Sequence, residues 1–164
     1  MLAQQRFQAE VVAIGLATGY LSCQDTVDWA DRVVEIDPFP DAEVIDISLG
    51  GGLAVADMLP LLRLVKGEFD RVAVAQAALA DLLAELDAHP EHSHSIAFYL
   101  YRMACGNYLP ESHFGMECYA IEDHFHMAKL KVYGTEESAE RELRSYLSRY
   151  AAPHLRFLPK VSVQ

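Results

Sequence analysis

Residues 70–88 read DRVAVAQAALADLLAELDA, and the spacing of their apolar side chains decides the class of fold. Val72, Ala75, Leu79, Leu82, Leu83 and Leu86 fall on one face at helical period, and the opposite side is mostly alanine. Asp70 stands where a cap belongs, so a helix is predicted over 71–88. A helix that is apolar on one side and small on the other lets neighbours approach from both. That is the pattern of a central helix in a bundle.

Outward from this segment the same period recurs. A helix is predicted over 7–18, with Gly19 to end it. A second is predicted over 23–36, capped by Ser22, with Asp25 in its first turn, where a carboxylate favours the helix dipole. In that second helix Asp25, Asp28, Asp31, Arg32 and Glu35 fill one arc, and Val27, Ala30, Val33, Val34 and Ile36 fill the other. Trp29 falls at the seam. Pro38 and Pro40 then break the chain. Residues 43–49 allow two readings: Ile45, Ile47 and Leu49 alternate as in a strand, while Asp41 is placed to cap a short helix. Gly50, Gly51 and Gly52 form a joint without the Lys-Ser or Lys-Thr of a phosphate loop. A helix over 53–65 carries Pro60 inside it and is expected to kink or split there.

Beyond the central helix, 89–94 reads as a loop and 95–105 as a helix ended by Gly106. Residues 107–115 read as a loop, and 116–132 as a helix with two apolar faces, closed by Gly134. Thr135 caps a last helix that runs to Tyr150. The sum is an all-α, single-domain bundle of about seven helices over 1–164. It carries a small irregular or β element near 44–49 and an irregular tail over 152–164.

The chain has ample material for a core, with 52% hydrophobic residues. No run of about 18 uncharged apolar residues marks a membrane span. The first ten residues lack the basic start and apolar core of a signal peptide, so a cytoplasmic location is expected. Cys23, Cys105 and Cys118 are odd in number and far apart, which suits reduced thiols rather than a disulfide framework.

The net charge of −11 arises wholly in residues 1–91, where 16 acids meet 5 bases. The acid is densest at Asp25, Asp28, Asp31, Glu35, Asp37, Asp41, Glu43 and Asp46, with Arg32 the one base among them. Such a surface attracts a cationic partner and repels nucleic acid, so these eight residues are the candidate contact region.

Catalytic and metal-binding patterns are sparse. His92 and His94 lie two apart in a predicted loop, and a third ligand such as His113 must come from a separate one. His124 and His126 diverge on a helix, although Glu122 and His126 at i, i+4 could share an ion. A zinc site needs three convergent ligands, so no metal or other cofactor is expected. Asp123 lies among Met116, Met127 and Leu130 on the helical wheel. It is therefore expected to be a buried carboxylate paired with a base such as Arg102. Ser48, Ser93 and Ser112 lack a GxSxG elbow, and no nucleophile arrangement is expected.

Two short signatures carry a resemblance. One is Trp29-Ala30-Asp31, in a helix soon after a helix that ends Gly-Tyr-Leu. The other is Tyr133-Gly134-Thr135, opening a Glu-rich final helix. Over residues 10–150 the chain resembles small helical bacterial immunity proteins of contact-dependent or polymorphic toxin systems. The resemblance implies a protein that binds one cognate toxin domain and neutralises it without catalysis. It implies no particular toxin-contacting residues, and it makes Trp29 and Gly134 fold residues. The expected partner is thus a basic toxin domain, met by occlusion, with neither nucleic acid nor membrane as a partner. Two other functions fit the same pattern: a small metal-dependent or acid–base enzyme using His92, His94 and His113 or Asp123, and a regulatory adaptor for another protein.

Overall fold

The computed structural model describes residues 2–157, and among these the chain forms α-helices without a strand. The helices are α1 (Leu2–Thr18), α2 (Cys23–Ile36), α3 (Ala42–Ser48), α4 (Val55–Leu64), α5 (Arg71–Ala88), α6 (Ser93–Cys105), α7 (Glu111–Phe114), α8 (Cys118–Lys129) and α9 (Glu136–Tyr150). Short 3₁₀ turns occupy Pro90–His92 and Pro153–Leu155. No helix among the described residues is long and apolar enough to cross a membrane. The predicted tail beyond 157 lies outside the described residues. The chain divides into two compact units, one of α1–α4 over residues 2–70 with Phe157, the other of α5–α9 over 71–156.

In the first unit, α2 packs on α3, α3 on α4, and α4 on α1. The Ser22 Oγ accepts from the Asp25 N–H at 3.1 Å, and Asp25 accepts from the Ser22 N–H at 2.8 Å. This reciprocal box satisfies two backbone donors that a helix start leaves without partners.

The β element considered near 44–49 is absent, and the segment is α3. Asp41 caps it by accepting from the Glu43 N–H at 3.1 Å. The buried pair is Val44 and Ile47, three apart, while Ile45 and Leu49 face outward. A local cap and a three-residue spacing of buried side chains therefore overrode the alternating pattern.

Helix α4 is not split at Pro60. Proline there removes one backbone hydrogen bond, that to Ala56, and both residues are exposed, so water can serve the freed carbonyl. The far end of α4 is held by Arg6 of α1. Its guanidinium donates to the carbonyls of Leu62 at 2.9 Å and Arg63 at 3.0 Å, pairs with Glu10 and lies 4.9 Å from the Phe69 ring centre. Those carbonyls are among the acceptors that a helix end leaves without intrahelical partners. Gln5 ties the α2–α3 connection to α1. It donates to Asp37 at 2.6 Å and accepts from the Asp41 N–H at 3.0 Å.

In the second unit α5 packs against α6 and α9, and α8 packs against α6 and α9. The central helix is buried on several sides, as its alanines allow. Helix α8 is shorter than predicted, because Lys131 at φ 55° ends the turn well before Gly134. Of its two expected apolar faces, that of Cys118, Ile121, Phe125 and Val132 buries its first three members, with Ala128, and leaves Val132 exposed; that of Met116, Tyr119, Met127 and Leu130 leaves Met116 and Leu130 exposed and the other two half-buried. Thr135 and Ser138 form the box that starts α9, with the Ser138 N–H at 3.1 Å from Thr135 Oγ1 and the Thr135 N–H at 3.0 Å from Ser138 Oγ.

Candidate partner-binding surface

The eight acids of the α2–α3 region divide into two kinds. Asp25 belongs to the capping box, and Asp37 takes the Gln5 amide. Asp41 is buried and accepts from the backbone of Glu43 and Lys66. Burial alone raises the Asp41 carboxyl, but hydrogen bonds from Glu43 and those two backbone groups outweigh it and hold it below its ordinary value. The Glu43 carboxyl is pushed up, chiefly by its hydrogen bond with Asp41. These four acids shape the fold.

Asp28, Asp31, Glu35 and Asp46 face outward. Asp28 accepts from the Gln24 amide at 2.7 Å, along its own helix. The Ser48 hydroxyl donates to Asp31 and so links α3 to α2, which pack on each other.

The same stretch of chain also carries exposed apolar side chains that the charge pattern did not reveal. Ile36 is 82% exposed, Phe39 77% and Leu49 79%, and Ile45 is less so. The signal was present in the sequence, since Ile45 and Leu49 are i, i+4 and Ile36 and Phe39 flank the Pro38 break. Large apolar side chains left exposed beside charged ones are the raw material of a protein contact surface.

The alternative catalytic residues are not brought together. His92 turns to Glu85, with Nδ1 at 2.9 Å from its carboxylate. His94 stacks on Phe125 with ring centres 5.3 Å apart and faces Glu122 at 3.5 Å. His113 meets the edge of Phe114 at 4.7 Å. Among the described residues no group of three or more His, Cys, Asp or Glu side chains is gathered to hold a metal.

Asp123 is exposed rather than buried. Its wheel neighbours Met116 and Leu130 lie outside α8, so the apolar face drawn around it does not exist. Besides Asp41, the buried carboxylates among the described residues are Asp81 and Glu85, one turn apart on α5. Burial pushes Asp81 up to about 7, against the lowering effect of Arg156, whose Nε donates to Oδ1 at 3.2 Å. Burial also pushes the Cys118 thiol up, which makes it a poor nucleophile. One further cluster escaped the sequence pattern because it joins two helices: His124 of α8 with Ser138 and Glu142 of α9.

Comparison of the chain with protein-family models, with curated proteins and with solved structures found no match.

Proposed function

We propose that this chain is a binding protein whose α2–α3 face docks on a basic protein surface. We propose further that the partner is a toxin domain, neutralised by occlusion. The observation that carries the reading is the combination within α2, α3 and their connection: Asp28, Asp31, Glu35 and Asp46 are exposed, and so are the apolar Ile36, Phe39, Ile45 and Leu49. Acid alone serves solubility, and apolar exposure alone is common. Together they supply what a specific contact needs, with long-range steering from the charges and a desolvated centre from the apolar side chains. The reading of the partner as a toxin rests on the sequence resemblance. Toxins that act on nucleic acid present basic clefts, and an acidic helical face can occupy the phosphate track.

The test is a charge reversal that spares the fold. Asp28→Lys with Glu35→Lys is expected to leave helicity and melting nearly unchanged, since both side chains are outside the core. Association with the partner is expected to slow by about 10-fold or more at low salt and to lose its salt sensitivity. An unchanged association rate removes this face from the interface. Inhibition of a cognate toxin is expected to saturate at a fixed ratio, with activity returning once the complex is separated. Progressive inactivation of excess toxin by a trace of this protein contradicts occlusion.

A further inference from the structure

We propose that His124, Ser138 and Glu142 form an acyl-transfer site in the second unit, with Ser138 as nucleophile, for small esters that carry an anionic group. The arrangement is independent of the α2–α3 face. The His124 Nδ1 lies 2.6 Å from Glu142 Oε2, and its Nε2 lies 3.2 Å from Ser138 Oγ. This is the order nucleophile, base, orienting carboxylate by which a serine hydroxyl is activated. The carboxylate fixes the tautomer, since Glu142 accepts the Nδ1 proton and leaves the Nε2 lone pair towards the hydroxyl. The backbone makes room for the contact. Gly134, at φ 68°, passes so close to Nε2 that a Cβ there would collide with the imidazole. The Tyr133 ring, 5.7 Å away, lies against the same imidazole.

Ser138 and Glu142 also line an open groove of about 380 Å³ along α9. Arg141, Ser145 and Arg149 line it too, at i, i+4 and i+8 along the helix. Arg149 is held by Glu117 at 3.6 Å, whereas Arg141 has no ion pair among the described residues. A free guanidinium three residues from the nucleophile is suited to a carboxylate or sulfonate on the substrate. At rest Ser138 Oγ takes the Thr135 N–H and lies 2.8 Å from the Thr135 carbonyl oxygen. Rotation of the hydroxyl proton from that carbonyl to Nε2 prepares the attack, and the Thr135 N–H stays to stabilise charge forming on Oγ.

The chemistry balances with water as the only co-reactant. Ser138 Oγ bonds to the ester carbonyl carbon while its proton passes to His124 Nε2. The bond to the leaving alkoxide breaks, and that alkoxide departs as an alcohol with the proton from Nε2. Water then attacks the acyl-serine, gives its proton to Nε2, and the acid leaves as Ser138 regains the proton. Ser138 and His124 are catalytic residues, and Glu142 is a positioning residue.

The whole chain, treated with a fluorophosphonate probe, is expected to be labelled at Ser138, as read by peptide mass spectrometry, and to lose labelling in denaturant. His124→Gln is expected to slow labelling by about 100-fold or more at unchanged helicity, the usual contribution of a general base. Ser138→Gln removes the nucleophile but keeps a side chain that can close the capping box, so it is expected to stay folded and unlabelled. Nitrophenyl acetate is expected to be hydrolysed more slowly than a nitrophenyl ester with a sulfonated acyl group, and Arg141→Ala to erase the difference. The imidazole N–H proton of His124 is expected far downfield in the NMR spectrum and to move upfield in Glu142→Gln, with slower labelling. Should His124→Gln lose helicity, that glutamate variant decides the matter. No labelling of Ser138 in the folded parent, or labelling that neither variant slows, overturns the proposal and leaves the three residues a clasp between α8 and α9.

Discussion

Replacing Trp29 by alanine is expected to destabilise the first unit by about 3–5 kcal/mol, the range for removing a large, fully packed aromatic side chain. The indole is only 3% exposed, on the inner side of α2, and its Nε1 lies 3.4 Å from Gln8 Oε1 of α1. Truncation therefore opens a cavity at the α1–α2 contact and leaves the Gln8 amide without that donor. The seam position of Trp29 on the helical wheel allowed an interface role as well. The burial decides for the core. Because Trp29 is the one tryptophan of the chain, its emission in the parent reports unfolding of this unit. Circular dichroism follows the alanine variant. A variant with parental stability and weakened partner binding contradicts the packing role and makes Trp29 a contact residue.

The second large effect belongs to Asp81. Its carboxyl is 2% exposed and titrates near pH 7 in the folded protein, against an ordinary value of 3.8. Between those values the folded protein holds a proton that the unfolded chain has released, so stability falls as pH rises. At about 1.4 kcal/mol per pH unit, the loss across that window is about 4 kcal/mol. Arg156 pairs with Asp81 and already offsets part of the cost of burying the charge, and Glu85, itself paired with His92, lies one turn further along α5. Asp81→Asn retains an oxygen to accept from Arg156 and carries no charge. It is expected to be more stable than the parent above about pH 8 and to gain nothing below about pH 4. Urea midpoints measured across this range isolate the residue, because the other carboxylates contribute equally to both proteins. Parallel stability curves for parent and variant rule out this account of Asp81.

Local signals were legible wherever a helix is specified by neighbours in sequence. Ser22 with Asp25, Asp41 with Glu43, and Thr135 at the head of α9 are contacts within two or three residues, and each starts a helix; for α2 and α9 the spacing agrees, while for α3 the cap decides between the two readings that the sequence leaves open. The all-α class followed from such caps and from helical period, and so did the bounds of α2 and α5. The site was less legible. Four of the eight acids proposed for partner contact are engaged in caps, in the Gln5 bond and in the Asp41–Glu43 pair, which charge counting cannot distinguish from free acids.

The misplacement of the buried carboxylate has a definite cause. The wheel around Asp123 drew its apolar neighbours from residues beyond the ends of α8, whereas α5 is long and packed on several sides, so its polar residues at 81 and 85 turn inward with the rest. Sequence by itself determined the longer helices, because a cap or a turn involves residues within four of one another; the single turn of α7 reads as loop in the sequence, which also leaves α3 open. Only the tertiary structure decided which faces those helices bury, that Ser48 meets Asp31 across 17 residues, and that His124 meets Glu142 across 18. Those pairings depend on helices that are distant in the chain, and no local period records which face of one will meet which face of another.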